Sequence, residues 1–540
     1  MSKTRGADKL VRHLAEIGVT HIFSLSGNQI MPVYDACIDA GIRIIHTRHE
    51  ASAVFMADAW AQLTGQTGIA LVTAAPGFGN ALGALYSAKC AESPVLLLSG
   101  DSPVGQDGQG AFQELDQVSI SSTLTKYSHR VMGSEVIVDD LRRCIELAQA
   151  ARPGPVHMAL PFDVLNQRLA EEDNGIPREL LLPESDYTEL ASVIAEKIQS
   201  AQRPLILTGP NMSATRRGEL PAQLSRNLHT AVVCMESPRG MNDPSLGDFA
   251  QCLAGADLVV TLGKQIDFTL KFGSTPSFNA NCEVIVIDPE NRLVQQSKQT
   301  LGDRCVIAEQ ADIIQLAEFL SQTSCPASDF RENWRQKVAS AISARVAAPL
   351  PVDNDIAIHP ATLCSAVDQV LARQPDSILV CDGGEFGQWA QAYVSAPKRI
   401  INGISGAIGG GICYALAAKV CQPDAVVVAL MGDGTVGFHL AEFETALRNN
   451  APFIVVIGHD AQWNAEVQIQ KRDYGDDRQI GCELLETRYD LVAQGMGCYG
   501  ELVEKAEDIE PALERAIASG LPACINVRIH GLSAPSAPGH

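Results

Sequence analysis

The sequence predicts an α/β fold class with three doubly wound parallel-sheet domains, at 1–165, 188–322 and 356–535. At 540 residues the chain is too long for one hydrophobic core, so about three domains of ordinary size are expected. Short apolar segments alternate with helical patterns along the chain, which is typical of an open parallel sheet. Two polar stretches, 166–187 and 322–355, separate the three segments and are interpreted as connectors.

Each segment contains its own predicted strands, which are short apolar runs bounded by polar or glycine-rich turns. These strands are 21–25, 42–46, 69–73 and 95–99 in the first segment, 203–210, 257–263 and 283–288 in the second, and 377–381, 425–430, 453–457 and 523–527 in the third. The tail 533–540, which contains two prolines, is predicted to be mobile. Ligands on such sheets bind beyond the carboxyl ends of the strands, so the residues that follow these strands are the first candidates for a site.

The composition limits the partners that the chain can have. A net charge of −22 argues against nucleic acid or an anionic membrane. The 15 cysteines include no Cys-x-x-Cys pair, which favours free thiols and a reducing, cytoplasmic location. No signal-peptide core precedes the first amphipathic helix. The apolar stretch 404–421 is interpreted as a buried turn and helix rather than a membrane span, because it contains Lys419 and several glycines.

Two carboxylates stand at the ends of predicted strands in the third segment. Asp433 lies between Gly432 and Gly434, directly after one apolar strand, and Asp460 follows the next. Glycines in such a turn let backbone N–H groups approach a phosphate, and carboxylate oxygens are ligands that magnesium prefers. The pattern predicts a magnesium ion clamped onto a diphosphate, although Gly-Asp-Gly alone also fits an ordinary turn.

This layout resembles the signature of the thiamine diphosphate (ThDP)-dependent decarboxylase and carboligase superfamily, Gly-Asp-Gly followed after about 25 residues by Asn-Asn. Here His459 and Asp460 replace the two asparagines, and the added charge of Asp460 is expected to alter the choice between magnesium and calcium. The metal ligands that the resemblance implies are Asp433, Asp460 and the carbonyl of Gln462. The residues implied at the diphosphate are Gly384, Glu385, Phe386, Gly432, Asp433, Gly434, Thr435, Asp460, Gln462 and Trp463.

Four further segments resemble the superfamily in the same chain order, across nearly the whole length. Glu50 matches the glutamate at the aminopyrimidine ring, where a carboxyl group favours the imino tautomer that removes the proton from thiazolium C2. Pro76 and Asn80 match a Pro-Gly-x-x-Asn loop beside the pyrimidine. Without the family context, Glu50 could simply cap the helix predicted at 51–63, and 75–80 could be a plain strand-to-helix turn.

The remaining two segments concern the reacting centre. Gln113, in a Phe-Gln-Glu sequence, matches the loop of acetolactate synthases and benzaldehyde lyase whose glutamine reaches that centre; otherwise it is an ordinary loop residue. Gly406 and Ile408 match the stretch whose bulky apolar side chain holds ThDP in its bent form. The alternative for this stretch is helix–sheet packing that glycine permits.

Within the superfamily the chain looks most like acetolactate synthase, at 27–36, 112–114 and 125–126. The run 263–268 departs from the Gly-x-Arg-Phe-Asp-Asp-Arg sequence of the FAD-containing acetolactate synthases, so FAD is doubtful. Benzaldehyde lyase is similar at Gln113 and near the C-terminus, but there a pocket histidine stands in place of Asn28. The residues that the resemblance implies as catalytic are Glu50, Gln113 and Asn28.

The resemblance therefore implies a cytoplasmic enzyme that depends on ThDP and Mg²⁺ and acts on a 2-oxo acid or a 2-hydroxy ketone. The leading expectation is decarboxylation and carboligation of the acetolactate synthase type. One alternative is a 2-hydroxy ketone or 2-hydroxyacyl-CoA lyase, and one of another class is a catalytically silent regulatory subunit. Segment 1–165 would bind the pyrimidine and 356–535 the diphosphate, so family precedent implies a homodimer or homotetramer with active sites at the subunit interface.

Overall fold

The computed structural model describes residues 3–170, 185–346, 357–401 and 405–535. Parts of both predicted connectors lie outside the described residues, as does the tail from residue 536. Three parallel sheets form the framework, which confirms the predicted fold class of three doubly wound α/β domains. Within the described ranges, no helix is long and apolar enough to cross a membrane.

The first sheet has six parallel strands, and a separate antiparallel pair, β1 with β8, joins the two ends of this segment. The strands are β1 (Lys3–Arg5), β2 (His21–Ser24), β3 (Arg43–His46), β4 (Gly68–Val72), β5 (Val95–Asp101), β6 (Tyr127–Arg130), β7 (Val156–Pro161) and β8 (Arg168–Ala170). The helices are α1 (Gly6–Glu16), α2 (Met31–Ala40), α3 (Glu50–Thr64), α4 (Pro76–Cys90), α5 (Gln117–Ser121), α6 (Ile137–Gln149) and α7 (Phe162–Asn166). The strand order is β3-β2-β4-β5-β7-β6.

The central sheet has five parallel strands in the order β10-β9-β11-β12-β13. They are β9 (Pro204–Thr208), β10 (Ala231–Cys234), β11 (Leu258–Leu262), β12 (Glu283–Asp288) and β13 (Cys305–Gln310). The helices are α8 (Thr188–Ser200), α9 (Ala214–Arg217), α10 (Leu220–Leu228), α11 (Phe249–Gly255), α12 (Asn291–Leu301), α13 (Ile313–Gln322) and α14 (Asp329–Ser343).

The third sheet has six parallel strands in the order β15-β14-β16-β17-β19-β18. They are β14 (Ser377–Cys381), β15 (Lys398–Ile401), β16 (Val426–Gly432), β17 (Ile454–His459), β18 (Tyr499–Val503) and β19 (Ala523–Arg528). The helices are α15 (Pro360–Ala372), α16 (Gly384–Tyr393), α17 (Gly411–Cys421), α18 (Asp433–Val436), α19 (Glu442–Arg448), α20 (Asn464–Tyr474), α21 (Tyr489–Gly495) and α22 (Ile509–Ser519).

The first and third sheets have the same topology. In both, the first strand along the chain has the second strand on one side and the third on the other. The chain direction across the sheet therefore reverses between β2 and β4 in the first sheet and between β14 and β16 in the third. These two switch points are where an open parallel sheet offers a crevice for a ligand.

The first and third segments share one hydrophobic core. Helices α3 and α17 pack against each other in it, and both are buried on most sides. Such helices need apolar residues around nearly their whole circumference, which explains their weak amphipathic pattern. The Tyr414 hydroxyl of α17 donates to Asp58 of α3 at 2.9 Å, so these two polar groups inside the core are paired.

Both stretches interpreted as connectors, 166–187 and 322–355, include regular structure in their described parts. Residues 168–170 form β8, which pairs with β1. The connector 322–355 contains α14, whose Trp334 is buried in the central core and donates to the carbonyl of Pro204 at 3.1 Å. Most residues of α14 are polar, and the residues that it buries, which include Trp334 and Val338, form a single stripe.

Candidate active site

A crevice at the switch point of the third sheet brings together most residues that were predicted at the diphosphate. Its lining comes from the ends of β14, β16 and β17 and from the first turns of the helices that follow them. The lining residues are Gly383, Gly384, Glu385, Phe386, Ile408, Gly432, Asp433, Gly434, Thr435, Gly458, Asp460, Gln462, Trp463, Asn464, Ala465 and Glu466. Gly406 lies two residues before Ile408 and is exposed.

Asp433 and Asp460 face each other in this crevice, and Asp433 is buried while Asp460 is half-buried. Burial raises the pKa of Asp433 to about 6, and burial together with the negative charge of Asp433 raises the pKa of Asp460 to about 7. Oδ2 of Asp433 is buried and accepts no hydrogen bond from the described residues. A divalent cation between the two carboxylates would remove the repulsion and satisfy this oxygen, so the donor set fits magnesium.

His459 is buried beside this pair. Its Nδ1 lies 3.0 Å from Oδ1 of Asn526, and Nδ2 of Asn526 donates to the carbonyl of Thr487. The amide of Asn526 thus presents its oxygen to the ring, so Nδ1 of His459 is the donor. The opposite nitrogen, Nε2, lies 3.8 Å from Oδ2 of Asp433. The replacement of the first asparagine by histidine was visible in the sequence, but this contact was not.

Two glycines keep the crevice open because aromatic rings lie where a side chain would project. A Cβ at Gly434 would be 2.7 Å from the Trp463 ring, and one at Gly458 would be 2.5 Å from the Phe386 ring. Gly384 has a φ of +82°, a conformation that glycine adopts without strain. These three positions therefore need glycine for physical reasons that are specific to this crevice.

The variant Gly458→Ala is expected to lose about 1–3 kcal/mol of unfolding free energy, because β17 is buried and its backbone cannot move away from Phe386. ThDP should also bind more weakly, since Phe386 lines the crevice. Denaturant unfolding and a ThDP titration measure both effects. Gly495→Ala is the matched control, since a Cβ there meets nothing within 4 Å. Equal stability of the two variants would contradict the steric argument.

The polar side chains of Glu385, Thr435 and Gln462 are engaged inside the protein. Glu385 accepts from the backbone N–H of Ala534 at 2.6 Å. The Thr435 hydroxyl donates to the carbonyl of Gly432, and the amide of Gln462 donates to Asn464. Because a carboxylate cannot donate to a phosphate, only the backbone N–H of Glu385 could serve the role that was predicted for this residue.

Glu50 lies at the carboxyl edge of the first sheet, at the start of α3. It is buried, and its Oε2 accepts from Nδ2 of Asn80 at 3.0 Å. Pro76 begins α4, and a Cβ at the next residue, Gly77, would be 3.3 Å from Oε1 of Glu50. His49, not Glu50, caps α3 with its side chain. The structure therefore brings Glu50, Pro76 and Asn80 together and leaves little support for Glu50 as a simple helix cap.

Gln113 belongs to the same edge of the sheet, but its partner is a residue that the sequence did not single out. Oε1 of Gln113 accepts from Nε2 of Gln29 at 2.6 Å, and Oε1 of Gln29 accepts from the Thr73 hydroxyl at 2.8 Å. Asn28 is exposed, and its side chain has no hydrogen-bond partner among the described residues. No feature of the local sequence distinguishes Gln29 from Asn28, so only the fold identifies it.

The residues at the first and third sheets form two separate groups within one chain. Among the described residues, no hydrogen bond or ion pair joins Glu50 to the crevice of Asp433. The start of α3 nevertheless contacts the segment after α18: Ser52 lies 3.1 Å from His439, and the N–H of Arg48 donates to Glu442 at 2.9 Å. The two halves are thus held together beside the candidate site.

The crevice of the central sheet, between β9 and β11, is filled from within the chain. The guanidinium of Arg152 reaches Glu92, Asp288 and the carbonyl of Gly263 there. Lys264, in the run that departs from the FAD-containing enzymes, is buried and pairs with Asp267 at 3.2 Å. A buried, paired cluster of this kind holds the first and central segments together.

Lys126, part of the likeness to acetolactate synthase, lies at the opposite edge of the first sheet from Glu50. It precedes β6, and its Nζ donates to the carbonyl of Ala150 at 2.5 Å. Since Glu50 and Gln113 lie at the carboxyl ends of the strands and Lys126 at an amino end, Lys126 lies at the opposite edge of the sheet from these residues of its own chain.

Comparison with known proteins identifies the family. The model of the thiamine pyrophosphate enzyme N-terminal TPP binding domain matches residues 4–120, and that of the C-terminal TPP binding domain matches residues 382–527. The chain is 31% identical to a probable acetolactate synthase of Mycobacterium bovis, over 97% of this chain and 96% of that protein. It is 32% identical to 2-hydroxyacyl-CoA lyase 2 of Bos taurus, over 98% of this chain and 90% of that protein, and 31% identical to the Homo sapiens protein of the same name, over the same shares.

These matches cover both outer segments, and the relatives align over nearly the whole chain. The two family models match the two segments whose sheets share one topology. The chain belongs to the thiamine pyrophosphate enzyme family, and it is a ThDP-dependent enzyme.

Proposed function

We propose that this enzyme uses ThDP and Mg²⁺ to make or break a carbon–carbon bond next to a carbonyl group. The observation that carries the proposal is the facing pair of carboxylates at two strand ends, the buried Asp433 in its glycine turn and the half-buried Asp460. Such a pair is costly at neutral pH unless a cation joins it. Asp433, Asp460 and the carbonyl of Gln462 would hold the metal, and the backbone of 432–435 would face the diphosphate.

Bound ThDP would supply a C2 carbanion that adds to a substrate carbonyl. Glu50 would hold a proton at the pyrimidine, with its carboxylate fixed by Asn80 and by the start of α4. Ile408 would support the bent shape of the cofactor, and Gln113 would contact the substrate. Asn28 is exposed at the same edge, which allows it to contribute to the substrate pocket.

We also propose that the active unit is a homodimer or homotetramer with sites between subunits, in the cytoplasm. The separation of Glu50 from the crevice of Asp433 within one chain supports this arrangement. The side chain of Phe112, next to Gln113, is 75% exposed, and burial of such a side chain by a second subunit would be favourable. Light scattering with and without ThDP and Mg²⁺ measures the assembly.

Two reactions remain candidates. Carboligation of a 2-oxo acid, as in acetolactate synthase, is supported by the relatives of that name and by the Phe-Gln-Glu loop. Cleavage of a 2-hydroxy ketone or 2-hydroxyacyl-CoA is supported by the relatives named 2-hydroxyacyl-CoA lyase 2, which align over nearly the whole chain. The filled crevice of the central sheet supports an enzyme without FAD, which visible absorbance of the purified protein would test.

Proton NMR of the protein with ThDP and Mg²⁺ distinguishes the two candidates. One sample contains pyruvate, with or without a second 2-oxo acid or an aldehyde, and another contains a 2-hydroxyacyl-CoA. Acetolactate or acetoin in the first sample supports the carboligase. Formation of an aldehyde and formyl-CoA in the second supports the lyase. Unchanged spectra in both would contradict the proposed function.

A further inference from the structure

Gln29 connects the substrate side of the first sheet to its buried interior. The residue is only 5% exposed, and it lies in a short 3-10 helix, Asn28–Ile30, that follows β2 at the switch point with β4. A Cβ at Gly100, on β5, would be 2.8 Å from Cβ of Gln29. The backbone around Gln29 is therefore tightly packed, so its side chain has little freedom to move.

The partners of Gln29 fix the orientation of its side-chain amide. Among the described residues, the side-chain partner of the Thr73 hydroxyl is Gln29. The hydroxyl can donate its hydrogen to Gln29 only if the amide presents Oε1 to it. The NH₂ group of Gln29 then faces Gln113 and donates to Oε1 of that residue. It follows that Gln113 keeps its oxygen toward Gln29 and has its own NH₂ group available for another partner.

The loop that carries Gln113 is held in place around it. Gln113 has a φ of 61°, a left-handed conformation that costs free energy for a side chain of this kind. The carboxylate of Glu114 accepts from the backbone N–H groups of Gly108, Gly110 and Ala111, at 2.5, 2.9 and 3.0 Å. A residue in an unfavourable conformation, supported by a braced loop, is typical of a functional position.

We propose that Gln29 is a positioning residue that fixes the amide of Gln113 with its NH₂ donor toward the substrate. The site would then select substrates with an oxygen that accepts a hydrogen bond on the carbon beside the reacting carbonyl, as in 2-oxo and 2-hydroxy compounds. This inference rests on the proposed function, because it takes Gln113 as the residue that contacts the substrate.

Two substitutions at residue 29 distinguish the effect of the amide orientation from the effect of filling the same space. In Gln29→Glu the side chain keeps its shape but can only accept, so the amide of Gln113 must turn and present its oxygen to the substrate. Gln29→Met fills the space and leaves Gln113 free to adopt either direction. We expect kcat/KM to fall about tenfold or more in Gln29→Glu and less in Gln29→Met, with the ThDP affinity unchanged in both.

Gln117→Met is the matched control. Gln117 is also a buried glutamine, and it donates to the carbonyl of Gly100 at 2.9 Å, but among the described residues it makes no hydrogen bond to Gln113. Its loss should lower stability without changing kcat/KM. If Gln29→Glu keeps kcat/KM within twofold of the wild type, or if Gln117→Met lowers it equally, the positioning role is wrong.

A second measurement needs no turnover. The stabilities of Gln29→Met, Gln113→Met and the double variant form a double-mutant cycle. If the two side chains are bonded, the unfolding equilibrium constant of the double variant should differ from the additive value by about three- to tenfold. An additive cycle would overturn the inference even in an active enzyme. A wild type without activity but with a coupled cycle would instead contradict the proposed function and leave the bond in place.

Discussion

Replacement of Glu50 by glutamine is expected to lower kcat by a factor of about 10²–10⁴, the range typical of a lost general acid–base group. The amide keeps the shape of the carboxyl group and can still contact Asn80, so the fold should remain intact. ThDP binding should also persist, because the predicted ligands of the diphosphate and metal belong to the third sheet. Steady-state turnover and a ThDP titration by tryptophan fluorescence measure the two properties.

The control for this variant is Asp58→Asn, on the same helix. Asp58 is buried and accepts from Tyr414 in the shared core, so its loss should reduce stability and leave the chemistry unchanged. A catalytically silent regulatory subunit would show no difference between Glu50→Gln and the wild type in any assay. Full activity in Glu50→Gln would therefore remove Glu50 from the mechanism.

Replacement of Asp433 by alanine is expected to lower the affinity for Mg²⁺ and ThDP about 100-fold or more, since it removes one of the two facing carboxylates that are proposed as metal ligands. The increase in Tm that ThDP and Mg²⁺ give the wild type should disappear. Asp424→Asn is the control, because Asp424 is exposed just before β16 and has no part in the crevice. Equal metal affinity in Asp433→Ala and Asp424→Asn would contradict the proposed metal site.

The same carboxylates should make the stability of the metal-free protein depend on pH. Both pKa values lie above the usual value of 3.8, at about 6 and 7. Between pH 8 and pH 4 the folded state therefore binds more protons than the unfolded state. The unfolding free energy should rise as the pH falls from 8 toward 5. Protons compete with Mg²⁺, so the gain in Tm from ThDP and Mg²⁺ should be larger at pH 8 than at pH 6. Thermal unfolding of metal-free and loaded protein at both values tests this, and the opposite order would be inconsistent with a paired site.

The strands that could be predicted from the sequence lie mostly inside the sheets. Interior strands are covered on both faces, so they appear as continuous apolar runs such as 453–457. The strands that were missed are mainly edge strands, including β6, β10 and β18. An edge strand pairs on one side only and carries more polar residues, as Tyr127–Arg130 shows, so its local pattern resembles a loop.

Some residues of the candidate site could be identified from the local sequence, and others could not. Asp433, Asp460 and Glu50 could be identified because each stands in a short motif whose chemistry is local: a carboxylate in a turn directly after a strand. Gln29 and His459 could not be assigned roles from the sequence. Their partners, Gln113 and Asn526, are 84 and 67 residues away along the chain, and a distant contact leaves no periodic signal.

The sequence by itself determined the fold class, the family and the residue types that handle the diphosphate and the metal, because strand periodicity and glycine turns are properties of neighbouring residues. Only the tertiary structure decided which side chains meet. It paired Gln113 with Gln29, filled the central crevice with Arg152, and put Lys126 at the edge away from Glu50. The physical reason is that parallel sheets bring their strand ends together across long stretches of chain, so contacts at a switch point depend on strand order, which neighbouring residues do not encode.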